Sequence, residues 1–361
     1  MSEGMRTPER AAAQLRQLYG GYGYAPFKVQ KFERYDLYAE YRRFLESEQI
    51  LTFTDTDGRL MAMKPDVTLS IVKDTLGTEM RKVFYHENVY REQRRGEGFK
   101  EIPQMGLECI GELDAYSVGE VVMLAARSLE AISSQCILDV SHLGVVSGVL
   151  EGRVMTDEQR AAIFAAVAAK NTPALKQLCP DETLAEMLTA LVSLYGPLGE
   201  TLEKARIIPL PQKSRNALEQ LEALNRQLEI YGLGFVNLDF SVVNDVDYYD
   251  DVVFRGFVDG AAQGVLSGGR YDRLLQRMGK SGGAIGFAVY LDRLERVEQT
   301  GAEFDADVLI LCPSDDDAAL AAETAEAYRR SGKTVRVQRE QPEQLRFRQI
   351  LKAENGEVSE C

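Results

Sequence analysis

Residues 264–272 read GVLSGGRYD, and residues 282–294 read GGAIGFAVYLDRL. Paired glycines inside an apolar stretch cost stability, so they usually mark a place where another group approaches the backbone closely. Arg293 follows where an extended apolar run passes into a helix, which is a position suited to binding a phosphate. On these residues alone, a β-bulge beside an exposed arginine is the simpler interpretation.

The order of these residues resembles motif 3 of a class II aminoacyl-tRNA synthetase, in particular the histidyl enzyme. The family pattern runs roughly AGGRYD and then GFA[IL]GLERL, and Tyr290 stands here where the family has glycine. The resemblance implies an α+β fold over residues 1–298. This class II synthetase-like core is a mostly antiparallel sheet flanked by helices.

The composition is that of an ordinary globular protein. Of 361 residues, 45% are hydrophobic and 27% are charged, and we find neither a bilayer-spanning apolar stretch nor an apolar signal segment at the start. Five scattered cysteines without metal spacing and two histidines argue against a disulfide framework and a metal site. We therefore expect a cytoplasmic protein without a metal or cofactor.

The chain is acidic, with 42 Lys and Arg against 56 Asp and Glu and a net charge of −14. Affinity for nucleic acid rests largely on neutralising phosphates with Lys and Arg, so the acidic composition of this chain disfavours tRNA binding. A local basic patch in an acidic whole is the alternative that composition leaves open.

Residues 99–111 predict the most informative strand. Met105, Leu107 and Cys109 form an apolar face, while Gln104 and Glu108 lie on the other face. Gly106 between these two polar residues leaves a gap without a side chain. A solvated strand face is the alternative, but the stretch resembles motif 2 of the family, EFHQxGxExxG.

An Asp57-Gly58 turn between residues 50–53 and 60–63 predicts a β-hairpin. The following residues, Lys64 to Thr68, resemble the family's RPExT, in which the acid and the threonine hold a substrate α-ammonium group. Asp66 is one methylene shorter than the usual glutamate. The alternative for Thr68 is a helix N-cap.

Residues 242–254, VVNDVDYYDDVVF, resemble the signature LVRGLDYYTxTVF of the histidyl enzyme. The pair Tyr248 and Tyr249 is more specific to that subfamily than any class II motif. Tyrosine pairs that fill a core and keep one polar end are the alternative interpretation.

Residues 23–33 resemble motif 1, which forms the dimer interface in the family, so the resemblance implies a self-dimer. Gln30 replaces the family proline there.

Residues 155–232 predict a helical insertion, in which Thr156 and Gln159 form a capping box. Ser117 and Glu120 predict a second capping box on the helix after motif 2. Residues 304–361 predict strand, helix and strand up to Val337, which resembles a truncated anticodon-binding α/β domain.

The resemblance implies a pocket for histidine. Its residues, taken over from the matching family motifs, are Asp66, Thr68 and Gln104 at the α-ammonium, Glu108 and Tyr249 at the imidazole, and Gly268, Gly269 and Tyr271 as floor and wall, with Tyr248 as a further member of the site. An acidic group that faces an imidazole supports a ring N–H and favours the charged ring.

The ATP half of the family site looks degenerate. Tyr90 aligns with the motif-2 arginine, Asn244 with the signature arginine, and Tyr290 with the motif-3 glycine, so that Arg293 alone remains. A one-residue slip would align Arg91 instead, although it would face away from Tyr90 on a strand. Two lost phosphate contacts and a steric block predict that adenylation is abolished, and we assign no catalytic residue.

A histidine pocket without activation residues resembles the regulatory subunits of ATP phosphoribosyltransferase. That resemblance implies a non-catalytic partner of the short-form catalytic subunit, needed for its activity and for feedback inhibition with L-histidine as the effector. The alternatives are a divergent histidyl-tRNA synthetase and a synthetase-like sensor of another metabolite.

Overall fold

A computed structural model describes residues 7–45, 49–75, 79–92, 98–243, 248–295, 297, 304, 306–342 and 345–361. The chain divides into two compact units, Ala11–Val297 and Glu298–Cys361 together with Met1–Arg10. Their assignment as a synthetase-like core and a truncated anticodon-domain remnant stays a prediction.

The strands are named in chain order. They are β1 (Ala25–Pro26), β2 (Phe32–Arg34), β3 (Thr52–Thr54), β4 (Leu60–Met63), β5 (Arg81–Glu92), β6 (Phe99–Gly111), β7 (Cys136–His142), β8 (Tyr195–Pro197), β9 (Val236–Asp239), β10 (Val252–Val258), β11 (Leu266–Arg270), β12 (Gly283–Tyr290), β13 (Ala306–Leu311), β14 (Val335–Gln338), β15 (Phe347–Glu354) and β16 (Glu357–Glu360).

The helices are α1 (Thr7–Gly21), α2 (Tyr35–Glu40), α3 (Thr68–Asp74), α4 (Ala115–Ile132), α5 (Leu143–Val149), α6 (Asp157–Ala168), α7 (Thr172–Leu178), α8 (Glu182–Ser193), α9 (Leu198–Arg206), α10 (Gln212–Ile230), α11 (Asp272–Arg277) and α12 (Ala318–Arg330). Short 3₁₀ helices cover Arg42–Phe44, Leu291–Leu294 and Asp315–Asp317. Among the described residues, no helix is long and apolar enough to cross a membrane.

A nine-stranded sheet organises the larger unit, in the order β1-β5-β6-β12-β11-β10-β7-β9-β8. The pairs β1–β5 and β7–β9 are parallel, and the remaining neighbours are antiparallel. Helix α4 packs on one face of this sheet, where its apolar side joins Met105, Leu107 and Cys109 in the larger hydrophobic core. The predicted fold, a mostly antiparallel sheet flanked by helices, is confirmed.

The predicted hairpin forms as β3 and β4, which pair antiparallel. Gly58 takes a φ of +78° in the turn, a conformation that glycine adopts without a steric cost. Strand β2 pairs with the other edge of β4 to complete a three-stranded sheet.

The capping box predicted from Ser117 and Glu120 is wrong. Asp114 caps helix α4 by accepting a 2.8 Å hydrogen bond from the Ser117 N–H. Glu120 instead accepts from Lys82 Nζ at 2.7 Å and from the Tyr24 hydroxyl at 3.2 Å. An acidic residue in the first turn of a helix can accept a hydrogen bond from the N-cap N–H or from a side chain elsewhere in the fold. Tertiary packing decides between these two partners.

The helical insertion consists of α6 to α10, and the capping box of Thr156 and Gln159 is present. It also holds a strand that the sequence did not predict: β8 pairs with β9 at the edge of the main sheet. Gly196, with a φ of +143°, and Pro197 explain this break, because neither residue favours a helix interior.

The smaller unit contains a four-stranded sheet of order β14-β13-β15-β16 with helix α12. The predicted strand, helix and strand are present as β13, α12 and β14. Sequence reasoning missed the hairpin β15–β16, whose turn is Asn355-Gly356 with φ of 54° and 80°. An Asn-Gly dipeptide between two alternating stretches is a strong hairpin signal that could have revealed it.

Candidate functional site

A cavity of about 350 Å³ opens beside the centre of the nine-stranded sheet. Volumes of this order suit a small metabolite. Its lining brings together residues from seven separate stretches of sequence: Phe44, Leu45, Asp66, Thr68, Tyr85, Arg91, Gln104, Glu108, Tyr248, Tyr249, Ser267, Tyr271, Gly286, Phe287, Ala288 and Tyr290.

Strand β6 supplies two buried polar groups to this cavity. Gln104 and Glu108 are each 2% exposed and lie on the face opposite the apolar core residues of the strand. Glu108 accepts a hydrogen bond of 2.7 Å from Thr68 Oγ1 and one of 2.5 Å from the Tyr271 hydroxyl. Among the described residues, Gln104 Nε2 is buried without a hydrogen-bond partner. A buried amide in that condition indicates a place where a ligand can bind.

Burial raises the pKa of Glu108 to about 8. The hydrogen bonds from Tyr271 and Thr68 oppose that rise, and the nearby carboxylate of Asp66 adds to it. Removing a carboxylate from water disfavours its charged form, and here two hydroxyl groups do not offset that cost. The carboxyl group is therefore mostly protonated at pH 7.

The beginning of helix α3 positions the second acidic group. Asp66 Oδ1 accepts a 2.8 Å hydrogen bond from the Leu69 N–H, so Asp66 and not Thr68 satisfies the first turn of the helix. The N-cap interpretation of Thr68 is therefore wrong. Its hydroxyl is instead used within the cavity, as the donor to Glu108.

Aromatic rings form the wall around Glu108. The Tyr248 ring lies 4.7 Å from Tyr249, 5.6 Å from Tyr271 and 6.1 Å from Phe44, measured between ring centroids. Such spacing is typical of edge-to-face aromatic packing. The backbone of this segment is fixed from helix α11, since Arg273 Nη2 donates to the Tyr249 carbonyl at 2.8 Å.

The gap predicted at Gly106 is filled. A Cβ atom placed there would lie 2.5 Å from the Tyr85 hydroxyl and 2.2 Å from the Phe287 carbonyl oxygen. Gly106 is paired with Tyr85 in the register of β5 and β6, so the glycine makes room for that ring. Tyr85 thereby becomes part of the cavity wall, which the sequence did not predict.

Gly268 and Gly269 do not line the cavity, in contrast to their predicted role as its floor. A Cβ atom at Gly268 would lie 2.4 Å from the Phe287 Cβ, and one at Gly269 would lie 2.7 Å from Tyr249 Cδ1. The two glycines therefore permit close packing behind the lining residues. Ser267 and Gly286 occupy the surface that was assigned to them.

The assignment of Tyr90 to the degenerate site is also wrong. Tyr90 donates to Glu101 Oε1 at 2.9 Å on the outer face of the β5–β6 hairpin, whereas Arg91 is 7% exposed and lines the cavity. Alternate residues of β5 face opposite sides, and the cavity side holds Tyr85 and Arg91. The Arg91 Nε donates to the Pro65 carbonyl at 2.6 Å, and its Nη2 lies 3.7 Å from Asp66 Oδ2.

Tyr290 lines the cavity, and its ring covers the guanidinium of Arg293 at 3.9 Å from the ring centroid. Arg293 also donates to the Gly264 carbonyl. Arg293 itself is not among the residues that line the cavity. Asn244, the remaining member of the predicted degenerate site, lies outside the described residues.

Several lining residues escaped sequence reasoning. Arg91 was one residue from the chosen alignment, and Gly286 stood in the quoted motif without an assigned role. Phe44 and Leu45 carry no motif, and the structure alone places them here, with the Phe44 ring against Tyr248. No cluster of three or more candidate metal ligands occurs in the described part of the chain.

The family model for histidyl-tRNA synthetase matches residues 2–294. Among curated proteins, the chain is 28% identical over 306 residues to the ATP phosphoribosyltransferase regulatory subunit of Clostridium kluyveri. That match covers 80% of this chain and 78% of the relative. The chain thus resembles proteins named as regulatory subunits over most of its length.

Solved structures give a similar result. A protein from Bacillus halodurans described as an ATP phosphoribosyltransferase regulatory subunit/histidyl-tRNA synthetase is 26% identical, with a TM-score of 0.72 and coverage of 92% of this chain and 88% of that one. A chain of the ATP phosphoribosyl transferase complex from Thermotoga maritima is 18% identical, with a TM-score of 0.62 and coverage of 79% and 97%. At that identity, the second similarity concerns the fold alone.

Proposed function

Because the chain belongs to the histidyl-tRNA synthetase family, we propose that its cavity binds histidine and that it acts as a non-catalytic regulatory subunit of ATP phosphoribosyltransferase. One observation carries the proposal. The polar groups expected to bind the amino acid converge in one cavity, while the Tyr290 ring covers the arginine expected to bind nucleotide.

The amino-acid half of the site has matching chemistry for histidine. Glu108 faces the centre of the cavity and can bind a ring N–H, and the buried amide of Gln104 offers a hydrogen bond that no described residue takes. The Asp66 carboxylate is the group suited to an α-ammonium. A site of buried polar groups discriminates strongly, because a ligand that leaves them unpaired loses affinity.

The nucleotide half supports a role without adenylation. An arginine whose flat face is already stacked on a tyrosine ring has less surface to offer a nucleotide. With Arg91 in the cavity, this part of the proposal depends on Tyr290 and Asn244 and no longer on Tyr90. Arg91 is also the observation that favours the rival function, a divergent histidyl-tRNA synthetase.

The partner and the regulation follow from the names of the relatives and from the charge. We propose assembly with a short-form catalytic subunit in histidine biosynthesis, support of its activity, feedback inhibition by histidine, and self-dimerisation. Residues 301–361 hold 13 acidic and 8 basic side chains, a net charge of −5, which suits an anticodon stem poorly. An effector site needs different affinities for histidine in two states of the complex, and no chemical step.

Calorimetric titration with L-histidine tests the binding site. We expect saturable binding and a raised melting temperature, since a ligand that binds the folded state stabilises it by mass action. Glu108→Ala should remove most of both effects by leaving a ring N–H unpaired. Glu101→Ala is the matched control: the same substitution on the same strand, at an exposed carboxylate outside the cavity. Equal titrations for wild type and Glu108→Ala would show that the pocket is misassigned.

A further inference from the structure

Glu108 is a carboxyl group in a cavity without a cationic partner. Its described partners are the hydroxyl groups of Thr68 and Tyr271, and no described residue forms a salt bridge with it. A carboxylate so deeply buried usually pairs with a positive charge or takes up a proton.

The groups that face Glu108 come from every element around the cavity, and their charges do not supply that positive partner. Arg91 on β5 is directed to the Pro65 carbonyl and lies 3.7 Å from Asp66, whose own negative charge disfavours a second carboxylate. The other titratable groups among the described lining residues are tyrosines, neutral at physiological pH: Tyr85 on β5, Tyr248 and Tyr249 before β10, Tyr271 after β11 and Tyr290 on β12.

These surroundings decide the charge of the Glu108 side chain. Burial raises the pKa of Glu108 to about 8, so near pH 7 the group is the neutral acid. Free imidazole has a pKa of about 6.5 and is mostly neutral at the same pH. Before binding, Glu108 and the ligand ring together therefore hold one titratable proton, which is on Glu108.

We propose that the cavity binds histidine by moving the proton of Glu108 to the ligand's imidazole, so that a neutral acid and a neutral ring become a carboxylate–imidazolium pair. The inference rests on the proposed function. One O–H bond of Glu108 breaks, one ring N–H bond forms, and the total charge and proton count are unchanged. The resulting imidazolium is the cationic partner that Glu108 lacks, next to an aromatic wall that also favours a cation. The site therefore selects a ligand by the basicity of its ring as well as by its shape.

The proton count fixes the pH dependence. Below about pH 6.5 the free ligand carries its own proton, so binding must release one; above about pH 8 Glu108 is ionised, so binding must take one up. Affinity is then highest between these limits. It falls about tenfold per pH unit beyond either of them.

Titration calorimetry of the full chain in two buffers that differ in ionisation enthalpy, both chosen to buffer at the pH measured, counts these protons from the difference in apparent enthalpy. We expect release approaching about one proton near pH 5.5, almost none near pH 7, and uptake approaching about one near pH 9. Glu108→Gln should lose the alkaline uptake, while the α-amino group of histidine titrates in both proteins and cancels in the comparison.

A histidine analogue with a 1,2,4-triazole ring tests the same point without a variant. This ring has a similar shape and is much less basic, so we expect its affinity at pH 7 to be at least about tenfold weaker. Equal affinities of histidine and the analogue, or equal proton uptake near pH 9 by wild type and Glu108→Gln, overturn this inference and leave the binding site standing. Absence of histidine binding at every pH overturns the inference and the proposed function together.

Discussion

Tyr290 is the single residue on which the proposed loss of nucleotide binding most depends. Its ring lines the cavity and also lies 3.9 Å from Arg293, measured from ring centroid to guanidinium carbon. A cation–π contact of this kind is worth roughly 0.5–2 kcal/mol. Its larger effect here is steric, because the ring occupies the space next to the guanidinium.

We predict that wild type shows no histidine-dependent exchange of pyrophosphate into ATP and that Tyr290→Gly binds ATP weakly. Glycine at this position exposes the face of Arg293. Tyr290→Phe is the control, since it keeps the stacked ring and should bind no more nucleotide than wild type. ATP titration and isotope exchange measure the two properties. Exchange by wild type at a synthetase-like rate would restore the rival function, in which Arg91 makes the phosphate contact.

A misalignment by one residue on β5 explains the wrong assignment of Tyr90. The aligned tyrosine and the true cavity residue are neighbours, Tyr90 and Arg91, and a shift by one exchanges the faces of a strand. Only the pairing of β5 with β6, in which Tyr85 lies opposite Gly106, defines which face meets the cavity. A single sequence contains the motif but not this register.

At the scale of elements, the close approach of β6 and β12 shapes the site. Gly286 lies opposite Glu108 in the register, and a Cβ atom there would lie 1.7 Å from Glu108 Oε2 and 2.5 Å from the Leu107 carbonyl oxygen. The glycine thus leaves the volume in which the Glu108 carboxyl group sits.

We therefore predict that Gly286→Ala destabilises the fold by about 1–3 kcal/mol, as overpacking does, and weakens histidine binding by displacing Glu108. Gly20→Ala is the control, because no heavy atom lies within 4 Å of a Cβ at that helical position. Chemical denaturation and a histidine titration measure both effects. Wild-type binding by Gly286→Ala would mean that Glu108 is not held where the structure has it.

Local patterns predicted several elements closely. Alternation gave β6 its bounds, and the Asp57-Gly58 turn gave the hairpin β3–β4, because both depend on neighbours in sequence. The cap of helix α4 was predicted wrongly, and strand β8 was not predicted. Asp114 rather than Ser117 caps α4, and Tyr195–Pro197 joins the main sheet as its edge strand. Both outcomes depend on partners far along the chain, which local patterns do not contain.

At the scale of the whole molecule, the main sheet brings together strands that lie far apart in sequence. β12 lies between β6 and β11, and β7 lies between β10 and β9. Local periodicity contains no such order, and the resemblance predicted a mostly antiparallel sheet without its strand order. The polar groups of the cavity therefore belong to the central strands and to the beginning of α3, which are the most constrained parts of the unit.

Under the proposed function, this placement predicts that histidine sensing and assembly use different residues. Glu108 and Gln104 are buried, whereas a partner subunit must use exposed surface. Damage to the cavity should then leave the hetero-complex intact. Glu108→Ala should co-purify with a short-form ATP phosphoribosyltransferase and support its basal activity as wild type does.

We predict that inhibition of this Glu108→Ala complex shifts to higher histidine concentrations by about tenfold or more, because the loss of one buried polar contact costs roughly 1–3 kcal/mol. Asp66→Ala should shift the curve in the same direction, and Glu101→Ala should not. The measurement is the rate of phosphoribosyl transfer against histidine for each complex. By linkage, the inhibited state of the catalytic subunit must in turn tighten histidine binding in wild type. Superimposed inhibition curves would place the action of histidine elsewhere, most simply on the catalytic subunit itself.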